Sequence, residues 1–224
     1  MDYRKGRVSA KDFLIMPWGG MPAINKTGNF WGCVSNMDDV MQDLWECGFN
    51  ITGFTSVENM DSAAKHGLSV FIDDASISRK IGQEVTDEEA VETAAKVVAP
   101  LKGNPDVLGY YLRDEPHVGM YESLAQWAKA VYAADPDTLA YINLFPECAN
   151  MQQLGAESYD DYLEKFIQTC KPKYLSYDCY ALFEGGILRE AQFYSNIEAM
   201  RAKALKYDIP FWNIVLANSH RSEE

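Results

Sequence analysis

The stretch that decides the fold is DVLGYYLRDEPH, residues 106–117. It begins as a short apolar and aromatic run, which is typical of a buried strand. It then ends in three charged residues: Arg113, Asp114 and Glu115. The next residue, Pro116, has no N–H to continue a sheet ladder. Because loss of water at the edge of a core can shift a carboxyl pKa, the stretch predicts Glu115 as a catalytic acid.

Short apolar segments of this kind recur along the chain and alternate with amphipathic segments. Seven strands are predicted, one around Tyr110 and Tyr111 and the others at residues 12–16, 49–54, 68–72, 138–144, 173–178 and 210–216. Six helices are predicted, at residues 37–47, 58–66, 86–102, 121–134, 158–170 and 187–207. Each strand is thus followed by a helix or by the end of the chain.

This alternation predicts parallel strands joined by right-handed crossovers, in an open doubly wound sheet or a barrel. The turn after the first strand, PWGGMP at residues 17–22, lacks the G-x-G-x-x-G pattern of a dinucleotide-binding sheet. We therefore predict an α/β fold, a (β/α)8 TIM barrel forming one domain over residues 1–224. An eighth strand and helix have no counterpart in the sequence, so we expect a barrel truncated after its seventh strand. Exposed strand edges would then favour homo-oligomers.

The formal net charge of −13 disfavours nucleic acids and anionic membranes as partners, since both would repel the chain. The sequence has no apolar run of about 18 residues and no signal-peptide pattern at its start. Five cysteines without a C-x-x-C pair and three histidines match no zinc motif. We predict no metal and no cofactor.

In a parallel barrel the active site lies at the carboxyl ends of the strands. The acidic, amide and aromatic residues at or near those ends form a mixture suited to a neutral polyhydroxylated ligand. Beside Glu115, Asp178 is the favoured second carboxylate and Asp114 the next. The predicted substrate-binding residues are Trp18, Asp74, His117, Asn143, Tyr180, Trp212, Asn218 and His220.

Ordinary structural roles are open for most of these residues. Asp114 could cap the next helix or pair with Arg113, and Asp178 could form a turn. Asp74 is more typical of a loop or cap acid than of a metal ligand. Trp18 and Trp212 could simply fill the end of the barrel.

GYYLRDEP, residues 109–116, resembles the fourth-strand motif of clan-A glycoside hydrolases, (β/α)8 enzymes in which the Glu of an Asn-Glu-Pro sequence is the acid/base. The Tyr-x-x-Asp-Glu-Pro form is similar to a group of poorly characterised, mostly bacterial glycoside hydrolases. Their sixth strand ends in Tyr-Asp-x-Tyr, matched here by residues 177–180. The resemblance implies Glu115 as acid/base, a carbohydrate substrate, and a secreted or periplasmic full-length protein with a further unit after this point.

The sequence departs from the clan-A pattern at two places. Residues 211–220 contain no acid where the family has its nucleophile, which leaves Asp178 as the nearest substitute by position. Asp114 stands where the family has Asn, and two adjacent acids tend to raise one pKa.

Three functions follow as hypotheses. The first is an O-glycoside hydrolase, in which a carboxyl separation of about 5 Å would favour retention and about 6.5–9.5 Å inversion. The second is a carbohydrate-binding barrel without catalysis. The third is a metal-dependent lyase or isomerase that uses rim carboxylates, namely Asp73, Asp74, Glu115 and Asp178.

Overall fold

The computed structural model describes residues 13–18, 36–217 and 219–220. Contacts group the chain into two compact units that alternate along the sequence. The first unit is drawn from residues 1–80, 85–112 and 127–141. The second is drawn from residues 81–84, 113–126 and 142–224. The single domain expected over residues 1–224 stays a prediction.

The strands of the described residues are β1 Ile51–Thr55, β2 Ser69–Ile72, β3 Val107–Asp114, β4 Leu139–Asn143, β5 Leu175–Asp178, β6 Leu182–Phe183, β7 Ile187–Leu188 and β8 Phe211–Ile214. One sheet has the order β1-β2-β3-β4, and its β1–β2 and β2–β3 pairs are parallel. A second sheet pairs β5 with β8, also in parallel. The third is the short antiparallel hairpin β6–β7.

The helices are α1 Met37–Glu46, α2 Met60–Lys65, α3 Ala75–Ser78, α4 Asp87–Val98, α5 Tyr121–Ala134, α6 Met151–Leu154, α7 Tyr159–Cys170 and α8 Glu190–Tyr207. Single 3₁₀ turns lie at Val57–Asn59, Ala99–Leu101, Val118–Met120 and Glu184–Gly186. Among these helices, none combines the length and apolar character needed to cross a lipid bilayer.

The core of the first unit depends on a close approach at Gly109 in β3. A Cβ atom at this position would lie 2.3 Å from the carbonyl oxygen of Leu139 and 2.8 Å from Cε1 of Phe71. Only a residue without a side chain fits between them. The glycine inside the apolar run of the deciding stretch is therefore required by packing.

The second unit holds the parallel pair β5–β8, in which Ser176 is opposite Trp212 and Asp178 opposite Ile214. The residue after β4, Leu144, forms a parallel bridge with Tyr177 and donates its N–H to the carbonyl oxygen of Ser176 over 2.8 Å. The chain after β4 thus continues the parallel pairing onto β5 within this unit.

Most predicted strands and helices are confirmed, with ends that differ by a few residues. The predicted first strand at 12–16 is different: residues 13–18 form no regular strand, although Ile15 accepts backbone hydrogen bonds from Asn50 and Ile51. The predicted helix at 86–102 ends at Val98, because Pro100 lies in the 3₁₀ turn that follows. The sequence analysis missed the β6–β7 hairpin and the four-residue helices α3 and α6.

Candidate active site

Three strand ends of the second unit bring together the acids that the sequence analysis singled out. β3 ends at Asp114 with Glu115 directly after it, β4 ends at Asn143, and β5 ends at Asp178. The backbone N–H of Glu115 donates to the carbonyl oxygen of Asn143 over 2.8 Å. Because neighbouring parallel strands end at the same edge, these side chains share one rim.

The side chain of Asn143 is the hydrogen-bonding centre of this rim. Its Nδ2 donates to Asp178 Oδ1 over 2.7 Å and to Asp114 Oδ1 over 3.1 Å. Its Oδ1 accepts from the hydroxyl of Ser176 over 3.1 Å. Asn143 is only 1% exposed, so its amide is fully engaged inside the protein. One neutral residue thereby joins two carboxylates from different strands.

The turn that carries Glu115 is held by a tyrosine from α7. Glu115 has a φ of +43°, a left-handed conformation that is costly for a residue with a side chain. The hydroxyl of Tyr162 donates to the carbonyl oxygen of Pro116 over 2.9 Å and accepts from the N–H of Phe145 over 3.3 Å. Tyr162 is buried, and these contacts hold the strained turn in one conformation.

Burial raises the pKa of Glu115 to about 7, and the like charges of Asp178 and Asp114 add to the shift. Burial also raises the pKa of Asp178 to about 6; hydrogen bonding from Asn143 opposes this rise, and Asp114 adds to it. Near neutral pH, Glu115 can hold a proton while Asp178 is largely ionised. Two nearby acids with separated pKa values are the arrangement that acid/base catalysis requires.

Asp114 is the third acid of the rim. Burial raises its pKa above the ordinary value, while the hydrogen bond from Asn143 and the charge of Arg113 oppose the rise. Asp114 thus interacts electrostatically with Arg113 and is hydrogen-bonded to Asn143, while the turn that follows is capped by His117.

Tyr180 and His220 form an aromatic pair next to the acids. Their rings stack with centroids 4.8 Å apart and an interplanar angle of 20°. Tyr180 also hydrogen-bonds to Asp178, which lowers the carboxyl pKa by a smaller amount than burial raises it. His220 is held by β6, because its N–H donates to Leu182 and its carbonyl accepts from Glu184, both over 2.8 Å.

Two predicted binding residues of the second unit have structural contacts of their own. His117 caps the 3₁₀ turn at Val118–Met120 through Nδ1, which accepts from the N–H of Gly119 over 2.9 Å. Its ring also packs against Gly155, where a Cβ would lie 2.2 Å from Nε2. Trp212 packs its ring 4.4 Å from that of Tyr174, which precedes β5. Trp212 thus contacts a residue at the amino end of β5, whereas Asp178 lies at the carboxyl end of that strand.

Two other predicted residues belong to the first unit. Trp18 is 39% exposed and packs edge-on against Phe54, with centroids 5.3 Å apart. Asp74 caps α3, since its Oδ1 accepts from the N–H and the hydroxyl of Ser76 over 2.8 and 2.6 Å. The cap role considered for Asp74 is thus the one the structure supports. Asn218 lies outside the described residues.

Sequence reasoning did not identify Ser176 and Tyr162 as part of this site. Ser176 lies two residues before Asp178 and therefore on the same face of β5, which was a usable signal. Tyr162 lies on a helix, and no local pattern indicates that its hydroxyl reaches the chain after β3. Across the described part of the chain, no three His, Cys, Asp or Glu side chains are grouped so that they could hold a metal ion. The metal-dependent hypothesis therefore has no ligand set there.

Comparison with solved structures identifies the fold. An endo-1,4-beta-mannanase from Eisenia fetida matches with a TM-score of 0.52 at 12% identity, covering 96% of this chain and 89% of that one. The beta-1,4-mannanase of the sea hare Aplysia kurodai matches with a TM-score of 0.51 at 12% identity, over 79% of each chain. A proposed alpha-L-fucosidase from Bacteroides thetaiotaomicron has a TM-score of 0.59 at 11% identity, covering 89% and 73%.

These structural neighbours are glycoside hydrolases with TIM-barrel folds, and the predicted fold class, an α/β chain of the (β/α)8-barrel type, is confirmed. The identities are low enough that the likeness concerns the fold alone. No family model and no curated protein matches the sequence. The particular group of bacterial enzymes with the Tyr-x-x-Asp-Glu-Pro motif stays a prediction.

Proposed function

We propose that this protein hydrolyses O-glycosidic bonds of a glycan, with Glu115 as general acid/base and Asp178 as the second carboxylate. One observation carries the proposal: Glu115 and Asp178 interact at the rim of a parallel α/β fold, and burial raises the pKa of both. An isolated acid on the surface would be neither buried nor close enough to a second carboxylate to interact with it. Strand-end acids of this kind are where barrels of this class perform chemistry.

The two acids suit the two roles of glycoside hydrolysis. Glu115, with a pKa of about 7, keeps its proton in a large fraction of molecules up to neutral pH and can transfer it to the departing glycosidic oxygen. Asp178 is largely ionised there and can attack the anomeric carbon or activate a water molecule. After the bond breaks, Glu115 is left ionised, and in a double-displacement reaction it then removes a proton from the attacking water.

Asp178 also accounts for the missing acid at the end of β8. Residues 211–220 contain no Asp or Glu, so a carboxylate from that strand cannot serve. Asp178 ends β5, the strand that pairs directly with β8, and it is 3% exposed. The second carboxylate is therefore supplied from the neighbouring strand.

The substrate is proposed to be a neutral oligosaccharide or polysaccharide. The stacked rings of Tyr180 and His220 offer a flat apolar face beside Asp178, and sugar rings bind such faces. Trp18, in the first unit, stays a predicted substrate-binding residue. A net charge of −13 is compatible with an uncharged ligand.

The test is a screen of aryl glycosides and polysaccharides, followed by Glu115→Gln on any substrate that is cleaved. Gln keeps the size of the side chain and removes the titrating proton, so kcat should fall by about 10²–10⁴-fold. The control is Glu122→Gln, which changes an exposed acid in the first turn of α5. Full activity in Glu115→Gln would exclude Glu115 as the acid.

The same screen separates hydrolysis from the carbohydrate-binding alternative. Sugar binding without turnover, unaffected by Glu115→Gln, would favour a binding protein. Where turnover is found, the anomeric configuration of the first product, followed by NMR, distinguishes the two roles of Asp178. Retention identifies it as nucleophile, and inversion identifies it as the base that activates water.

A further inference from the structure

The buried face of β4 and β5 carries a chain of polar side chains that leads to Asp178 and includes two residues, Ser176 and Asn143, to which the proposed reaction gives no part. It runs from the hydroxyl of Ser176 to Oδ1 of Asn143, and from Nδ2 of Asn143 to Asp178 and Asp114. Ser176 is 0% exposed. Both polar atoms of the Asn143 amide are engaged by Ser176, Asp178 and Asp114, which points to a role in what Ser176 and Asn143 do to the acids.

We propose that Ser176 and Asn143 are positioning residues: Ser176 holds the side-chain amide of Asn143 in one orientation, and the amide in turn orients Asp178 and Asp114. This inference rests on the proposed function for its catalytic meaning. It assigns Asn143 to a role within the protein, in place of the hydroxyl binding expected from its position at a strand end.

The geometry gives each atom of the amide one role. Nδ2 has two hydrogens, and two carboxylate oxygens lie at 2.7 and 3.1 Å to accept them. If the amide were turned by half a rotation, Oδ1 would face two carboxylates and repel them. The donating hydroxyl of Ser176 at 3.1 Å favours the orientation in which Oδ1 faces away from the acids.

This orientation has a chemical consequence for Asp178. Hydrogen bonds donated to the ionised form of a carboxyl stabilise that form. The Asn143 contact therefore keeps Asp178 available as a base or nucleophile, although burial favours the protonated form. A stronger hydrogen bond from Asn143 lowers the pKa of Asp178 further below that of Glu115, so that the proton shared by the two acids resides on Glu115.

Other titratable groups also face Asp178, and none of them replaces this contact. Asp114 and Glu115 repel its charge, and Tyr180 donates to it. Among the described residues, neutral thiols and a neutral phenol also interact with it: Cys148, Cys179 and Tyr162. Arg113 acts on Asp114.

The test is Ser176→Ala, with the carboxyl carbon of Asp178 followed by NMR as a function of pH. Without the hydroxyl, the amide loses its anchor and donates less well, so the Asp178 midpoint should rise by about one pH unit. The acidic limb of kcat/KM should move upward as well. Ser176→Thr keeps a hydroxyl and should restore both values. Thr52→Ala, which removes a buried hydroxyl of β1 that donates to the carbonyl oxygen of its neighbour Gly53, should change neither.

An unchanged Asp178 midpoint in Ser176→Ala would overturn the inference, as would an equal shift in Thr52→Ala. A measurement on the unaltered protein does not depend on how the variants fold. The side-chain NH₂ resonances of Asn143 should titrate with the same midpoint as Asp178, and resonances that stay constant through that range would also overturn it.

The two proposals fail separately. If no glycoside is hydrolysed while the Asp178 midpoint shifts in Ser176→Ala, the positioning role stands and the proposed function falls. If hydrolysis depends on Glu115 while the midpoint is unchanged, the proposed function stands and the positioning role falls.

Discussion

The backbone N–H of Glu115 donates a 2.8 Å hydrogen bond to the carbonyl oxygen of Asn143. This bond joins the chain just after β3 to the end of β4. It holds Glu115 in a left-handed conformation, with φ at +43°, that its own side chain disfavours. The candidate acid is therefore positioned by main-chain contacts. The negative charges of Asp178 and Asp114 act on its carboxyl group and raise its pKa.

The raised pKa values predict a bell-shaped dependence of kcat/KM on pH. Activity should rise as Asp178 ionises near pH 6 and fall as Glu115 loses its proton near pH 7, giving a narrow optimum between these values. Because the two acids interact, the limbs report the pair rather than either residue alone. Rates measured on a cleavable glycoside from pH 4 to 9 check this; a flat profile through pH 6–7 would contradict it.

Stability should fall as pH rises from about 4 to about 7. Glu115 has a folded pKa of about 7 against an ordinary 4.5, and Asp178 about 6 against 3.8. Between these values the unfolded chain has released protons that the native protein still holds, so rising pH favours unfolding. The measurement is the urea midpoint at pH 4.5 and 7.5.

Glu115→Gln should flatten this dependence, because Gln does not titrate. Acids whose pKa is lowered by folding change the stability in a different pH range. Asp38 and Glu164 each have a pKa of about 2, so the stability that they add is lost as the pH falls toward 2. An unchanged slope in Glu115→Gln would show that other groups cause the dependence.

Gly109→Ala should destabilise the protein severely, by about 3 kcal/mol or more. The new methyl group would overlap the carbonyl oxygen of Leu139 at 2.3 Å, and a backbone atom of a neighbouring strand cannot move aside without disturbing the sheet. The matched control is Gly103→Ala, where φ is +76° and no atom lies within 4 Å. In that variant the free energy of unfolding should fall by only about 1 kcal/mol, the cost of placing Ala in a left-handed backbone conformation. Equal losses by chemical denaturation would refute the packing argument.

Lys203→Met should destabilise more than Lys206→Met, although both lysines contact Glu164 from α8. The side chain of Lys203 is 7% exposed and also contacts Asp160, with both pairs at 2.8 Å. Its loss removes the cation that Asp160 and Glu164 share, while Glu164 keeps its contact with Lys206. Because the Lys203 side chain is withdrawn from water, we expect this loss to cost about 1 kcal/mol. Lys206 is 57% exposed, so its ion pair is screened by water and its loss should cost less. Urea unfolding of the two variants gives the comparison, and the reverse order would contradict it.

Local sequence signals predicted the elements of this protein well where neighbouring residues decide the outcome. The predicted helix at 86–102 begins with Thr86, a residue type that commonly caps helices, and its hydroxyl accepts from the N–H of Glu89 over 3.1 Å. A Glu three residues after such a cap commonly bonds back to the cap residue, but the carboxylate of Glu89 accepts from Lys80 at 2.6 Å. A residue from outside the helix competes for this side chain, and no local pattern could show that.

The sequence by itself determined that an apolar strand ends in acids at Asp114 and Glu115, and that strands and helices alternate along the chain. Hydrophobic periodicity and turn residues are local properties, so they can be read from the order of residues. Only the tertiary structure decided that Asn143 joins Asp114 to Asp178, residues 29 and 35 positions away from it, and that Ser176 orients its amide. Burial and charge interaction depend on distances in space, and these distances turn one acid among many into the acid with a pKa of about 7.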